Sequence, residues 1–405
     1  MNRTLLFLTL LWLAWPAEAA KRLRDFEKAP HNYWEHPPRD RFTQLKSALE
    51  DGRIPLDRAS EKAFVISLLR ALDISPATQT LVFSTTSLQL RRISPRNPRA
   101  LYFNEDIYVG WVPGGQLEIV SIDPRLGGIF YIFDIPRGSA PVKVERSARC
   151  FNCHAEFEIG RVPGLLLKSV VPANGGGSLE SFRNDRTGHA IPFKDRFGGW
   201  HLTGRHGIEQ HQGNLVGEFV AGTIKTYPNP PAKNYRSETY PVATSDVLAH
   251  LLQEHQVGFV NRAIKATYDT RAALAAGEAE AVIQKYGETL AQYLLFAGET
   301  PLPAGGLEGD TDLKQFFLAR ARKTPQGASL RELDLRTRMF KHRCSYMIHS
   351  AAFTGLPAPL KTAVLNNLRA ALTTDHALGA HLTSAEKQVI HSILTATFAP
   401  YKALE

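Results

Sequence analysis

Apolar residues change their spacing twice along this chain. Between residues 41 and 75 they recur every three or four positions, as Phe42, Leu45 and Leu49 and then Val65, Leu68, Leu69 and Leu72. That stripe predicts two amphipathic helices, and Ser60 ahead of Glu61 suits the N-cap of the second. From about 80 to 135 the texture becomes β-branched and aromatic, in runs over 81–83, 99–112, 117–122 and 129–135. Pro113-Gly114-Gly115 and the stretch from Asp123-Pro124 to Gly128 break these runs, which predicts a β-meander. A short helix is expected over 147–156, and strands over 165–171 and 200–203 within a Gly-rich segment. Residues 224–243 read as a Pro- and Tyr-rich connection, and 20–40 as an extended arm. From 244 the helical period returns. Ser245 and Asp246 open a helix to about 276 with Leu248, Leu252, Phe259 and Ala263 on one stripe. Further helices are expected at 278–297, 311–323, 330–352, 358–373 and 384–399. The expected fold class is α+β, with a β-rich half over 20–243 and a mainly helical half over 244–405.

The chemistry is concentrated in Cys150-Phe151-Asn152-Cys153-His154. This is the C-x-x-C-H spacing of a c-type haem attachment site. Two thiols reach the two vinyl groups of a porphyrin, and the next imidazole binds the iron. On this reading Cys150 and Cys153 carry thioether bonds to one haem c, and His154 is the proximal iron ligand. A closed zinc site needs four ligands, yet the chain has three cysteines and the third, Cys344, lies far off in sequence. A redox disulfide between Cys150 and Cys153 wants a thioredoxin-like unit around it, which the pattern does not provide.

The amino terminus points the same way. Met1-Asn2-Arg3 is a positive start, an apolar run extends from Thr4 to Trp15, and Ala17-Glu18-Ala19 is a small-x-small cleavage pattern. Residues 1–19 therefore read as a secretory signal peptide, too short for a membrane span. An exported chain with this motif belongs in a bacterial periplasm, with no stable membrane insertion once the signal is removed. The 405 residues carry a formal charge of +9. A basic surface favours acidic partners, here an acidic redox protein or an anionic substrate. No nucleic-acid-binding motif is present.

The sixth position of the iron decides between a carrier and a catalyst. Met347 and Met339, both on the helix expected at 330–352, are candidates, although a helical Met more often fills a core gap. His201, His206 and His211 recur every five residues, and His250 and His255 lie on the long helix. His206 is the first choice because Gly204 and Gly207 beside it leave room for a flat cofactor; His255 sits on the apolar stripe of its helix. Arg146, Arg149, Arg161 and Arg196 are candidates for pairing haem propionates. Trp111, Trp200 and Tyr346 are candidates for packing on the macrocycle. Cys344 reads as a buried, inert thiol.

The attachment pentapeptide resembles that of c-type cytochromes in general. The remainder differs from small cytochromes c, in which the motif comes early in a domain of about a hundred residues. Three segments resemble those of a family of large, exported bacterial cytochromes with one haem: Val109-Gly110-Trp111-Val112-Pro113-Gly114-Gly115, Gly198-Gly199-Trp200-His201-Leu202-Thr203-Gly204 and Arg343-Cys344-Ser345-Tyr346-Met347. The resemblance implies a haem and an exported location rather than a reaction. Where relatives carry Met after the histidine, this chain has His211-Gln212, so that position carries no role across. The expected function is periplasmic electron transfer by one covalent haem. The alternative is a peroxidase-like haem oxidoreductase with an open distal face. The surplus of chain over what electron shuttling needs favours the alternative, the lack of a second haem as a built-in relay favours the carrier, and a haem-based sensor or a scaffold subunit of a larger redox assembly is a third reading.

Overall fold

The computed structural model describes residues 24–85, 87–181, 187–231 and 235–404. The signal peptide expected at 1–19 lies outside them. The fold is α+β: a large antiparallel sheet in the first half and mostly helices in the second. Asp40 caps α1 (Arg41–Glu50) by accepting from the N–H groups of Phe42 and Thr43, and Ser60 caps α2 (Glu61–Ala71) through Ala63. These side chains satisfy donors that the first turn of a helix leaves without partners.

Next come β1 (Thr80–Val82), β2 (Arg99–Phe103), β3 (Ile107–Trp111), β4 (Leu117–Asp123), β5 (Gly127–Phe133) and β6 (Glu145–Arg146). A separate two-stranded ribbon follows, β7 (Val170–Pro172) with β8 (Ser178–Ser181), and β9 (Trp200–His201) joins β1 to β6 in a seven-stranded sheet in the order β6-β5-β4-β3-β2-β1-β9. Strands β1 to β5 are paired antiparallel in sequence order, as the meander pattern predicts. Side chains alternate between the faces of a strand. One face carries Val109, Trp111, Ile119 and Tyr131. It packs under α1, where Phe42 lies 4.8 Å from the Tyr131 ring and Ser121 accepts from the Phe42 N–H. The opposite face carries Arg99, Leu101, Tyr108, Gly110, Glu118, Val120 and Phe130, in register across β2 to β5.

That second face is covered by α3 (Phe151–His154), which follows a turn of 3₁₀ helix, and by α4 (Val247–Ala276). Asp246 caps α4 through Leu248, and Gly277 closes it in the left-handed conformation. At 1.5 Å per residue a 30-residue helix is about 45 Å long, enough to run the width of the sheet. The helices α5 (Glu280–Leu294), α6 (Thr311–Ala319), α7 (Ala351–Thr354), α8 (Ala358–Thr373), α9 (Ser384–Thr397) and α10 (Ala399–Lys402) complete the second half. Buried apolar residues from both halves belong to one continuous core.

Three expectations are corrected. The helix expected at 330–352 does not form. An antiparallel bridge joins Leu333 to Phe340, closed by hydrogen bonds from Asp334 to Met339 and from Leu335 to Arg338, and only a 3₁₀ turn (Tyr346–His349) and α7 follow. Leu335 has φ +58°, outside the helical region, and Ser345 and Ser350 each restart the chain as a cap. The 20–40 arm is folded rather than extended where it is described. It makes a 3₁₀ turn (Asp25–Glu27) and buries Phe26 and Tyr33 against Phe151. The expected 224–243 connection begins inside a ribbon, β10 (Leu215–Val220) with β11 (Thr223–Pro228). Its turn, Ala221-Gly222, has φ of +50° and +80°, the two positive values that a tight hairpin turn needs.

Candidate functional site

Cys150, Cys153 and His154 face one cavity between the second sheet face and α4. The cavity itself holds about 90 Å³ of free space, short of the pockets that take cofactors, so a group the size of a macrocycle enters only if the walls move apart. Its walls are mainly apolar: Leu101, Val120, Phe130 and Leu165 to Leu167, with Trp200 at one side. Gln253 and Val257 of α4 close it, so the helical half of the chain contributes directly to the wall.

His154 is held by its backbone neighbours. Its Nδ1 donates to the Gly164 carbonyl at 2.9 Å, and its own carbonyl accepts from the Gly164 N–H at 3.0 Å. The bond at Nδ1 fixes the tautomer and leaves the Nε2 lone pair free. Gly164 is positioned in turn from α4. The Asn261 side chain accepts from the Leu165 N–H and donates to the Leu165 carbonyl, both at 2.8 Å. The Phe130 ring lies 4.8 Å from the imidazole and supports its other side. Burial pushes the His154 pKa down to about 4, so the ring is neutral at pH 7. Burial raises the Cys150 thiol to about 11 and also raises Cys153. Both are free thiols, as is Cys344.

One charged pair sits inside the cavity. Arg99 and Glu118 form an ion pair with side-chain exposures of 14% and 13%. Arg99 lies flat against β3 because Gly110 has no Cβ; an added methyl there would fall 2.3 Å from Arg99 Nη2. The Nε of Arg99 is buried without a hydrogen-bond partner among the described residues. Glu118 accepts in addition from Ser87 Oγ at 2.8 Å and Gln89 Nε2 at 3.1 Å. Lys168 also lines the cavity, paired with Glu158 at 3.0 Å.

The structure separates the other candidates from this cavity. His206 is on a loop bridged to Leu307, with its ring 5.3 Å from that of His211. Met347 is fully buried in the 3₁₀ turn, and Met339 is buried near the Leu333–Phe340 bridge. His255 is locked between His189 at 2.9 Å and Ser345 at 2.7 Å. Among the described lining residues, His154 is the one histidine and there is no methionine. The arginines singled out for propionates also lie elsewhere. Arg196 pairs with Glu254 at 3.6 Å. Arg146 packs over Tyr33 and Trp34. Arg149 faces Glu145, and Arg161 is exposed. Trp200 lines the cavity, whereas Trp111 packs on Tyr240 and Tyr346 on Phe317. Cys344 is buried, with its thiol pushed up to about 12. Among the described residues no three His, Cys, Asp or Glu side chains converge as a metal-binding group. No helix there is long and apolar enough to cross a membrane.

Sequence reasoning passed over Arg99, Glu118, Lys168 and Gln253. A signal for the first two exists. In a meander with this register, Leu101 faces Gly110 and Gly110 faces Glu118, so Arg99 and Glu118 share a face and carry opposite charge. No family model matches the chain, and neither a curated protein nor a solved structure matches it.

Proposed function

We propose that this chain is an exported c-type cytochrome, holding one haem through Cys150 and Cys153 with His154 as the proximal ligand, and that it transfers electrons. One observation carries the reading. The three motif side chains open onto a single apolar cavity, and the imidazole is pinned at Nδ1 with Nε2 left free. Iron-binding histidines are oriented in this way by a hydrogen bond at the opposite ring nitrogen. The buried, unpartnered Nε of Arg99 suits a carboxylate edge of the group, since guanidinium nitrogens seek such acceptors. A bound haem would supply one-electron oxidation and reduction of its iron. The chain's own part would be to hold the ligand neutral and oriented, to exclude bulk water with Leu101, Val120 and Phe130, and to offer Arg99 and Lys168 to acidic groups of the cofactor.

A second reading, a peroxidase-like oxidoreductase with an open sixth position, is favoured by the absence of a second His or Met among the described cavity residues. Expression in a host competent for cytochrome maturation tests the first reading. The expected product is coloured, with a mass increased by one haem that survives denaturation. Cys150→Ala/Cys153→Ala should lose the covalent pigment. A colourless product with the mass of bare polypeptide would end this proposal. The spectrum then separates the two readings. Low-spin bands indifferent to cyanide and carbon monoxide favour a carrier, and a high-spin ferric form that binds cyanide favours an enzyme.

A further inference from the structure

Beside the cavity lies an open groove of about 980 Å³, between residues 88–92 on one side and Asp134 to Lys143 on the other. Leu88 forms part of both walls, so a single side chain separates groove from cavity. Four cations line the groove: Arg91, Arg92, Arg137 and Lys143. All four are exposed, and none makes an ion pair among the described residues. Against them stand Glu61, which is occupied by the Gly114 N–H, and Asp134. Leu88 and Leu90 add exposed apolar surface, at 43% and 53%.

The groove is built rather than incidental. Gln89 donates to the Gln116 carbonyl at 3.0 Å and accepts from the Gln116 N–H at 2.7 Å, which fixes the 88–92 loop to the β3–β4 turn. Glu118 holds Ser87 and Gln89 with one carboxylate oxygen and Arg99 with the other, linking this loop to the cavity ion pair. On the far wall, Arg58 Nη1 donates to the carbonyls of Gly138 and Ala140, both at 2.7 Å.

We propose that this groove is the docking surface for an acidic redox protein, received over Leu88. The inference rests on the electron-transfer reading above and adds where the partner sits. Unpaired arginines around exposed leucines are the composition of a protein-binding patch. Surplus positive charge favours an acidic partner, chiefly through the rate of encounter. A partner over Leu88 is one side chain from the cavity, whereas an anionic membrane held by the same charges would exchange no electrons.

The test uses the full-length, haem-loaded protein and a small copper protein with an acidic surface patch as the probe. Arg91→Glu/Arg92→Glu/Arg137→Glu/Lys143→Glu is compared with wild type and with Lys225→Glu/Lys323→Glu, which reverses exposed charge elsewhere. The milder Arg91→Glu/Arg137→Glu serves if the quadruple variant folds poorly. At 20 mM salt the stopped-flow electron-transfer rate should fall at least tenfold in the groove variant and stay within twofold in the control. The wild-type rate should drop steeply toward 300 mM salt, and that dependence should flatten in the variant. Calorimetric binding of the copper protein should weaken in parallel. An unchanged groove variant, or an equal loss in the control, would overturn the proposal. So would groove-dependent capture on phosphatidylserine vesicles with unaltered protein–protein rates. A colourless preparation would count against the cytochrome reading; a coloured one that dithionite reduces fully, with no groove effect, would count against the docking site alone.

Discussion

Arg99 and Glu118 make the cavity an unusual place. Two charges face a mainly apolar space, each mostly buried, and Gly110 gives up its side chain so that the guanidinium can lie against the sheet. Removing one member of a buried pair leaves an uncompensated charge, which costs about 3–5 kcal/mol, whereas replacing both with apolar groups is often near neutral. Arg99→Met should therefore lower unfolding free energy by about 3 kcal/mol in urea titrations. Arg99→Met/Glu118→Met should regain at least half of that loss. The remainder reflects Ser87 and Gln89, which lose their acceptor with Glu118. If the double variant is no better than the single one, the pair is not what ties these two residues together.

The support for His154 comes from a distant element, and here local pattern and long-range contact part company. Asn261 on α4 reaches 96 residues back in sequence to clamp both backbone groups of Leu165. Asn261→Ala strands that N–H and that carbonyl; at about 1–3 kcal/mol per buried unsatisfied group, the expected cost is about 3 kcal/mol. Asn261→Asp keeps the acceptor and should cost about half as much; both are read as urea midpoints. In the coloured protein, Asn261→Ala should also shift the reduction potential, because Gly164 no longer fixes the imidazole. The helices α1, α2 and α4 and the β-meander were legible because their periods persist over many residues and caps mark their ends. The five-residue motif was legible for the same local reason. The segment at 330–345 was not. Its apolar spacing at Leu333, Leu335, Met339 and Phe340 serves a bridge closed by backbone hydrogen bonds, and the pattern fits a helix equally well. The β10–β11 ribbon escaped because its turn, Ala221-Gly222, lacks the usual Asn or Asp. Asn261 and Gly164 could not be found at all, since each acts through a partner that only the folded topology brings near, whereas Arg99 needed only the register of the meander to be matched with Glu118.

Histidine burial sets how the folded molecule as a unit answers to acid. His201 is held near pKa 4 and His250 and His255 near 3, each lowered first by burial. Charge on His201 also lowers His250, and Arg262 acts on His255 in the same direction. All three side chains are at most 5% exposed. In the unfolded chain a histidine titrates near 6.5, so between that value and the folded pKa the unfolded state binds more protons. The stability these neutral rings confer is therefore complete above pH 6.5 and is lost as pH falls. Each contributes a slope of about 1.4 kcal/mol per pH unit, roughly 4 kcal/mol per unit for three, against a typical total of about 5–15 kcal/mol. Asp106 works the other way. Burial lifts its pKa to about 6, so its protonation on acidification favours the folded state by up to about 3 kcal/mol between pH 6 and 4. Three histidines outweigh one carboxyl. Cooperative unfolding is expected before pH 4, followed by circular dichroism, with urea midpoints dropping from pH 6.5 downward. Proton uptake on unfolding at pH 5, taken from the pH dependence of those midpoints, should decrease by about one in His250→Gln and increase by about one in Asp106→Asn. A stability flat from pH 7 to 4 would mean that these rings become charged while still enclosed, against the desolvation that the packing around them imposes.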